Sequence, residues 1–479
     1  MAATAVPTVA GVAVETIPFA RQGNGGGVSL RKALFICHNF PPAGGSGVQR
    51  NLKFVRYARD FGYEPEVVTV TTDHLDETAD ASMADEVAGV PIHRVPLGRH
   101  WTDAIQDTRS GRVFRKLLLA PDDRILWKAE VIRHVRHRFK PGQFDVVFIG
   151  CPPSSCSFLT RGVGEHLRRP VVLDFRDPAS QARRIYPYPT LLHELYIDRA
   201  IRDAVDTAAA VVVVTPGSKR LFGTWNPKCA DKVAVIYNGY DPEDFEGLAT
   251  LPAVLPGGSN AGILNLGYAG VMHSPWRKPQ RTGRSILDVL RGQVNKPGMD
   301  GSTYSLKHLL EAMELLFRSR PDCRGRIRIH LCGDIAPENF ELAAGKGLGD
   351  AVVNHGYLPH KQALRMLMDV DVLYTPMVSG FGPCWNHTIP GKIFEYFHFN
   401  KPIFAITPSG DLMELLRAAG VQTVAEMGDA DRAAAILASL FDDHGAGRPT
   451  AGVAPLWARQ FERRQSARLL ADIFDRVVH

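Results

Sequence analysis

Thr388-Ile389-Pro390-Gly391-Lys392-Ile-Phe-Glu395-Tyr396-Phe-His-Phe-Asn400-Lys401-Pro402-Ile-Phe-Ala405 is the stretch that decides how this chain is read. Its Pro/Gly turn opens a short amphipathic helix carrying one lysine and one glutamate. The helix stops at Asn400-Lys401-Pro402, because proline has no N–H to give a helix interior and disfavours helical geometry in the residue before it. An apolar run follows at once, the pattern of a parallel strand covered on both faces. A turn, a helix, a break and a buried strand in that order make one step of a doubly wound sheet.

The same alternation extends in both directions. At 479 residues the chain is too long for one core, so two domains are expected. A hydrophobic content of 45% and a charged content of 22% are ordinary for a globular protein. The first series opens with an apolar strand at Lys32–Cys37, the loop Pro41-Pro42-Ala43-Gly44-Gly45-Ser46-Gly47 and a helix over Val48–Phe61. Strands follow at Glu66–Val70, Asp145–Ile149, Val171–Phe175, Ala210–Val214 and Val233–Ile236, with a helix over Ile185–Thr207. Leu251–Ala261, rich in Pro and Gly and without periodicity, reads as a linker. A second series has strands at Leu264–Tyr268, Ile327–Cys332, Val352–His355, Val372–Thr375 and Pro402–Ile406, and a weak one near Gln422–Ala425. The amphipathic stretch Trp457–Val478 predicts one long final helix. The expected plan is an α/β chain with a disordered tail at 1–30, a Rossmann-like domain at 31–250 and a linker at 251–262. A second Rossmann-like domain at 263–455 and a helix at 456–479 returning to the first complete it. Ser274–Thr303 is a basic insertion without periodicity, expected to be a mobile loop.

Composition excludes several classes. The seven cysteines form no CxxC pair and lie on apolar stretches, which predicts buried thiols in a reducing, cytoplasmic setting. No apolar run reaches the roughly 18 residues of a membrane span. Net charge is +6 and unevenly spread: Arg109 to Lys140 holds ten Lys/Arg against Asp122, Asp123 and Glu130. Such a stretch is either a solvated helix face or a surface for peripheral contact with an anionic membrane. It carries no zinc or helix-turn-helix pattern, which argues against nucleic acid. The histidines show no pair at ligand spacing, so no zinc site is expected. Asp369-Val-Asp371 sits at a helix-to-strand junction, where aspartate is a usual turn residue rather than a metal ligand.

Three loops carry candidate chemistry. The Gly-rich Pro41–Gly47 turn lets backbone N–H groups approach a phosphate at a helix start, and no Gly-Lys-Ser/Thr makes it a Walker loop. Asp174, Arg176 and Asp177 stand just past the carboxyl end of a strand, where open α/β sheets place ligands. The alternative is an Arg–carboxylate pair that only closes the loop. Ser154 and Ser155, after another strand, read as a helix cap or as sugar-binding hydroxyls.

The 388–405 stretch, Asn39-Phe-Pro-Pro42-Ala-Gly44-Gly45 and Asp174-Phe-Arg176-Asp177-Pro178 together resemble retaining glycosyltransferases of the two-domain GT-B fold, family 4 in particular. The resemblance runs from about Lys32 to the C-terminus. It implies that the second domain binds a nucleotide-diphosphate sugar and the first binds a small-molecule, glycan or lipid-linked acceptor, with no cofactor and no metal. It places Gly44, Gly45, Ser46 and Gly270 at the donor phosphates, with Arg277 and Lys278 neutralising them and Arg281 and Arg284 as further candidates. Tyr357 and Leu358 belong to the loop that reads the base, and Thr388, Ile389, Pro390 and Gly391 to the donor turn. Glu395 holds the ribose and Lys392 assists the leaving phosphate. Asp177 is implied as acceptor-side acid/base, oriented by Arg176, with Asp174, Asn386 and His387 toward acceptor or sugar. Two departures stand out. His387 occupies the slot of the first glutamate of the family's Glu-seven residues-Glu pair, and Tyr304 stands near the slot of its usual diphosphate lysine. The base stays open among uridine, guanosine, adenosine and thymidine. Two other readings share the donor: a nucleotide-sugar 2-epimerase, and a binding-only subunit.

Overall fold

The computed structural model describes residues 30–44, 46–74, 82–100, 103–104, 108, 115, 117–177, 190–255, 262–277, 281–282, 296–297, 299–380 and 385–479. Gly45, Lys278, Arg284, the tail before Leu30 and most of 101–116 lie outside the described residues.

The first sheet has seven strands: β1 (Arg31–Cys37), β2 (Tyr63–Val70), β3 (Ile92–Val95), β4 (Val146–Cys151), β5 (Val171–Phe175), β6 (Ala210–Val213) and β7 (Val233–Val235). All pair in parallel, in the order β3-β2-β1-β4-β5-β6-β7. Helices α1 (Ser46–Tyr57), α2 (Trp127–Arg138), α3 (Thr160–Leu167), α4 (Leu191–Thr207) and α5 (Pro216–Trp225) cover it. The strands are apolar throughout because both faces are buried. Trp127, Val131, Val163 and Ile197 cover one face; Leu52 and Val55 cover the other. Thr190 and Thr215 set the starts of α4 and α5, each accepting a backbone N–H three residues on.

The second sheet has six parallel strands: β8 (Leu264–Ala269), β9 (Ile327–Cys332), β10 (Val352–Asn354), β11 (Val372–Pro376), β12 (Ile403–Thr407) and β13 (Val424–Glu426). Their order is β10-β9-β8-β11-β12-β13. Helices α6 (Lys307–Ser319), α7 (His360–Asp369), α8 (Lys392–His398), α9 (Asp411–Ala418) and α10 (Ala430–Gly445) pack on it. Each sheet reverses its winding once, between β1 and β4 and between β8 and β11. Ligands of such sheets bind at these switch points, beyond the carboxyl ends of the strands.

The chain end departs from the expected single helix. Pro455–Ala458 is one short helix, and the final helix α11 spans Arg463–Val478. Between them Glu462 is extended, and Tyr240 pairs with the break: its N–H donates to the Phe461 carbonyl (3.1 Å) and its carbonyl accepts from Arg463 N–H (2.9 Å). A 3.6-residue period cannot register a backbone group claimed from more than two hundred residues away. Beyond the break, α11 lays Leu470, Ile473 and Phe474 into the first domain's core. Tyr240, Leu248 and Leu255 meanwhile pack in the second domain's core, so the chain changes domain ahead of the Pro/Gly-rich stretch. Within the aperiodic insertion, Met299–Asp300 forms an antiparallel pair with Ser379–Gly380, a pairing too short to leave a sequence pattern.

Candidate functional site

The carboxyl edges of the two sheets meet through the segments that follow β6 and β12. The Gly217 N–H donates to Asp411 (2.7 Å), Arg220 pairs with the same carboxylate (3.1 Å), and the Thr215 hydroxyl donates to the His387 carbonyl (2.8 Å). His387 Nδ1 lies 3.3 Å from Asp411, and its ring fills the space a side chain on Gly217 would take. Burial alone would raise the Asp411 pKa, but the bonds from His387, Thr215 and Gly217 outweigh it and hold the carboxyl below its usual range. His387 therefore makes a domain contact through Nδ1 and its carbonyl. The Asn386 carbonyl lies against Gly410, in the same seam.

At the second domain's switch point the backbone leaves β8 through Gly270, at φ 137°, with Gly333 at φ 119° pressed onto it. A Cβ on Gly270 would overlap Lys392 Nζ, so glycine is what lets the lysine reach the strand end. Lys392 Nζ donates to the Ala269 carbonyl (2.8 Å) and lies over the Tyr268 ring, 3.8 Å from its centre. The Tyr304 ring stands 5.7 Å away. Burial lowers the Lys392 pKa, while Tyr304 and Glu395 act the other way. Among the described residues no carboxylate lies within ion-pair distance of Lys392. A half-buried ammonium compensated by a carbonyl dipole, the Tyr304 side chain and the charge of Glu395, but by no carboxylate in ion-pair distance, is a place where an anion gains.

Glu395, one turn on, accepts from His360 Nε2 at 3.2 Å. That bond raises the His360 pKa against the effect of burial. The positive charge of Arg463 also acts on Glu395. Arg277 lies against Gly301, and its neighbour His273 donates its backbone N–H to the Tyr304 carbonyl (2.8 Å). Arg277, Tyr304, Lys392 and Gly270 thus share one corner. The loop after β10 leaves Tyr357 83% exposed, while Leu358 packs on the core. Ile389 is buried, and the carbonyls of Pro390 and Gly391 accept from Ile393 (3.1 Å) and Phe394 (3.2 Å) to start α8. Thr388 sits half-buried just before them.

On the first domain, Gly44 is buried in the loop after β1, and the backbone of Ser46 opens α1. The Arg176 guanidinium lies across the start of α1, 2.6 Å from where a Cβ on Gly47 would stand. Asp177 is exposed, and no hydrogen bond joins it to Arg176, so Arg176 does not orient it here. Asp174 is 2% exposed, and both its oxygens accept from Arg50 (2.8 Å each), which also reaches the Tyr237 carbonyl (3.0 Å). Its carboxylate is used inside the fold, a correction to its placement toward acceptor or sugar. The serine loop also differs from a cap: the Ser155 hydroxyl donates to Asp122 (2.6 Å). Asp369 and Asp371 accept backbone N–H groups of Val254 (2.7 Å) and Asn265 (2.8 Å), the structural use their turn positions suggested.

Sequence reasoning missed Tyr268, His360 and Asp411 as parts of this arrangement. Tyr268 lay hidden in an apolar strand, and His360 and Asp411 in helix starts, where they read as ordinary surface residues.

Comparison with known proteins bears on the fold. Residues 44–239 match the family described as glycosyl transferase 4-like domain. Over that segment of the first domain, the chain is similar to this family. No curated protein sequence matches it. Among solved structures it is similar to Anabaena HepE in complex with UDP and glucose, at 16% identity and TM-score 0.53, over 93% of this chain and 99% of that one. It is also similar to sucrose-phosphate synthase from Thermosynechococcus elongatus, at 12% identity and TM-score 0.52, over 94% and 95%. A trehalose-6-phosphate structure from E. coli bound with UDP-2-fluoro glucose aligns at 10% identity and TM-score 0.56, over 92% and 99%. These likenesses show the GT-B fold across both domains.

Proposed function

We propose that this protein transfers a sugar from a nucleotide-diphosphate sugar, with UDP as the first nucleotide to test, to a hydroxyl acceptor. The observation that carries the reading is Lys392: a half-buried cation without a carboxylate in ion-pair distance among the described residues, at the switch point of the second sheet. In this reading the donor diphosphate lies between Gly270, Lys392 and Arg277, and the ribose meets Glu395 after His360 yields. The base stacks on exposed Tyr357. UDP is favoured because HepE and the E. coli structure were solved with uridine nucleotides.

Fixed cations stabilise the charge that develops on the leaving diphosphate. The bond between the anomeric carbon and the phosphate oxygen breaks as the acceptor oxygen bonds on the same face. The acceptor proton passes to the departing phosphate oxygen, so configuration is retained without a protein nucleophile. In this reading Asp177, exposed just past a strand of the first domain, positions that hydroxyl. Metal independence is supported by the use of Asp369 and Asp371 in backbone hydrogen bonds. Closure of the cleft would exclude water and limit donor hydrolysis. We place the reaction in the cytoplasm, where nucleotide sugars are made.

The test is donor turnover with candidate acceptors, with and without EDTA, reading the anomeric configuration of the product. A glycosylated acceptor of unchanged configuration supports the reading. Epimerised free nucleotide-sugar assigns the epimerase instead, and nucleotide binding without turnover under any acceptor assigns a binding-only subunit.

A further inference from the structure

One face of the first domain is apolar where a globular helix is usually polar. Helix α4 buries Glu194, Ile197 and Ile201 inward. Leu192, Leu195, Tyr196 and Arg199 point outward, spaced i, i+3, i+4 and i+7 along one stripe. Leu192 is 77% exposed, Leu195 57% and Tyr196 61%. His193 Nε2 meets the Leu117 carbonyl at 2.6 Å, which brings exposed Leu117 and Leu118 alongside. Single exposed leucines are ordinary, but a contiguous group of five large apolar side chains is not.

The flank of this patch is basic. Helix α2 turns Lys128, Arg133 and Arg136 outward around Ile132, in one surface groove. Lys128 lies over the Phe158 ring (5.8 Å), and Lys128 and Arg199 both act on Asp203, so the basic helix adjoins α4. The acids nearby are already paired: Glu130 with Arg133, Asp203 with Arg161 (2.5 Å) and Asp198 with Arg202 (2.8 Å). Helix α4 runs antiparallel to the strands it joins, so its first two turns stand at the sheet's carboxyl edge.

We propose that this face seats on an anionic lipid bilayer. The leucines and Tyr196 enter the headgroup region, while the basic side of α2 faces lipid phosphates. The charge complementarity selects a membrane over an apolar protein partner: the apolar stripe ends in Arg199 and borders a basic groove. The inference does not depend on the glycosyl-transfer reading, since vesicle binding needs no donor.

Flotation of the full chain with phosphatidylcholine vesicles, with and without phosphatidylglycerol, tests it. Wild type is expected to float with the anionic vesicles and bind the neutral ones about tenfold less, with binding that weakens as salt rises. Leu192→Ser/Leu195→Ser/Tyr196→Ser and Arg133→Glu/Arg136→Glu should each lose about tenfold or more, with unchanged circular dichroism showing that the fold is kept. Absence of wild-type binding, equal binding to both vesicles, or full binding by the triple variant overturns the proposal. Self-association abolished by the triple variant, without vesicle binding, overturns it in favour of a second copy of the chain.

Discussion

Replacing Lys392 with methionine separates what its ammonium costs the fold from what it does for a ligand. Burial holds its pKa below the ordinary 10.5. A lysine so depressed binds fewer protons folded than unfolded, so this group makes stability rise with pH up to about 10.5 and opposes folding below it. Lys392→Met removes that penalty with a side chain of similar length. The ligand-free variant is therefore expected to melt at the same temperature or higher. Binding should move the opposite way. A hydrogen bond from a charged donor is worth about 1.5–3 kcal/mol, which is about 10- to 150-fold in Kd. With UDP at 100 times the wild-type Kd, wild type gains about 2.7 kcal/mol of stability and the variant keeps only about 0.3–1.4 kcal/mol. At about 2–4 °C per kcal/mol for a domain of this size, calorimetry resolves the difference. A variant that keeps the full UDP shift refutes the assignment of Lys392 to the diphosphate. A variant that loses several kcal/mol without ligand refutes the claim that burial of its charge outweighs the partners it has.

Other expectations follow from the same contacts. Glu395→Gln should move the NMR titration midpoint of His360 down from its raised position, because the largest raising cause is removed while burial and the charge of Arg463 still lower it. The His360–Glu395 pair contributes stability below pH 6.5, lost as pH rises through the raised folded value; an unmoved midpoint would show that Glu395 is not its partner. Arg50→Leu leaves Asp174 buried and unpaired, which should cost about 3–5 kcal/mol in urea unfolding. Arg50→Leu/Asp174→Leu should recover much of that loss, and equal loss in both would mean the pair is not the cause. Asp411→Asn weakens the seam between the domains. Its depressed pKa supplies stability above 3.8 that is lost as pH falls through the folded value. The substitution should cost about 1–3 kcal/mol and increase the radius of gyration in small-angle scattering, whereas an unchanged radius would rule out a latch.

Much of this protein was determined by local sequence. The apolar runs at Lys32–Cys37, Leu264–Tyr268 and Ile403–Thr407 fixed buried parallel strands, because only a strand covered on both faces needs no polar alternation. Pro390-Gly391 and Lys401-Pro402 bounded α8 through backbone geometry alone. Lys392 and Glu395 could be singled out from that same stretch. Tertiary structure alone decided what each polar group touches. Asp174, near the end of β5, and Asp177, just past it, stand three residues apart, yet one is locked by Arg50 and the other is exposed. His387 sits in a loop that reads as ligand-facing, but its ring and carbonyl are taken by Asp411 and Thr215 of distant segments. The break at Glu462 exists because Tyr240 claims its neighbours' backbone. Hydrophobic periodicity reports which face of an element is buried. Hydrogen-bond and ion-pair partners depend on distances between segments hundreds of residues apart, which only the assembled fold sets.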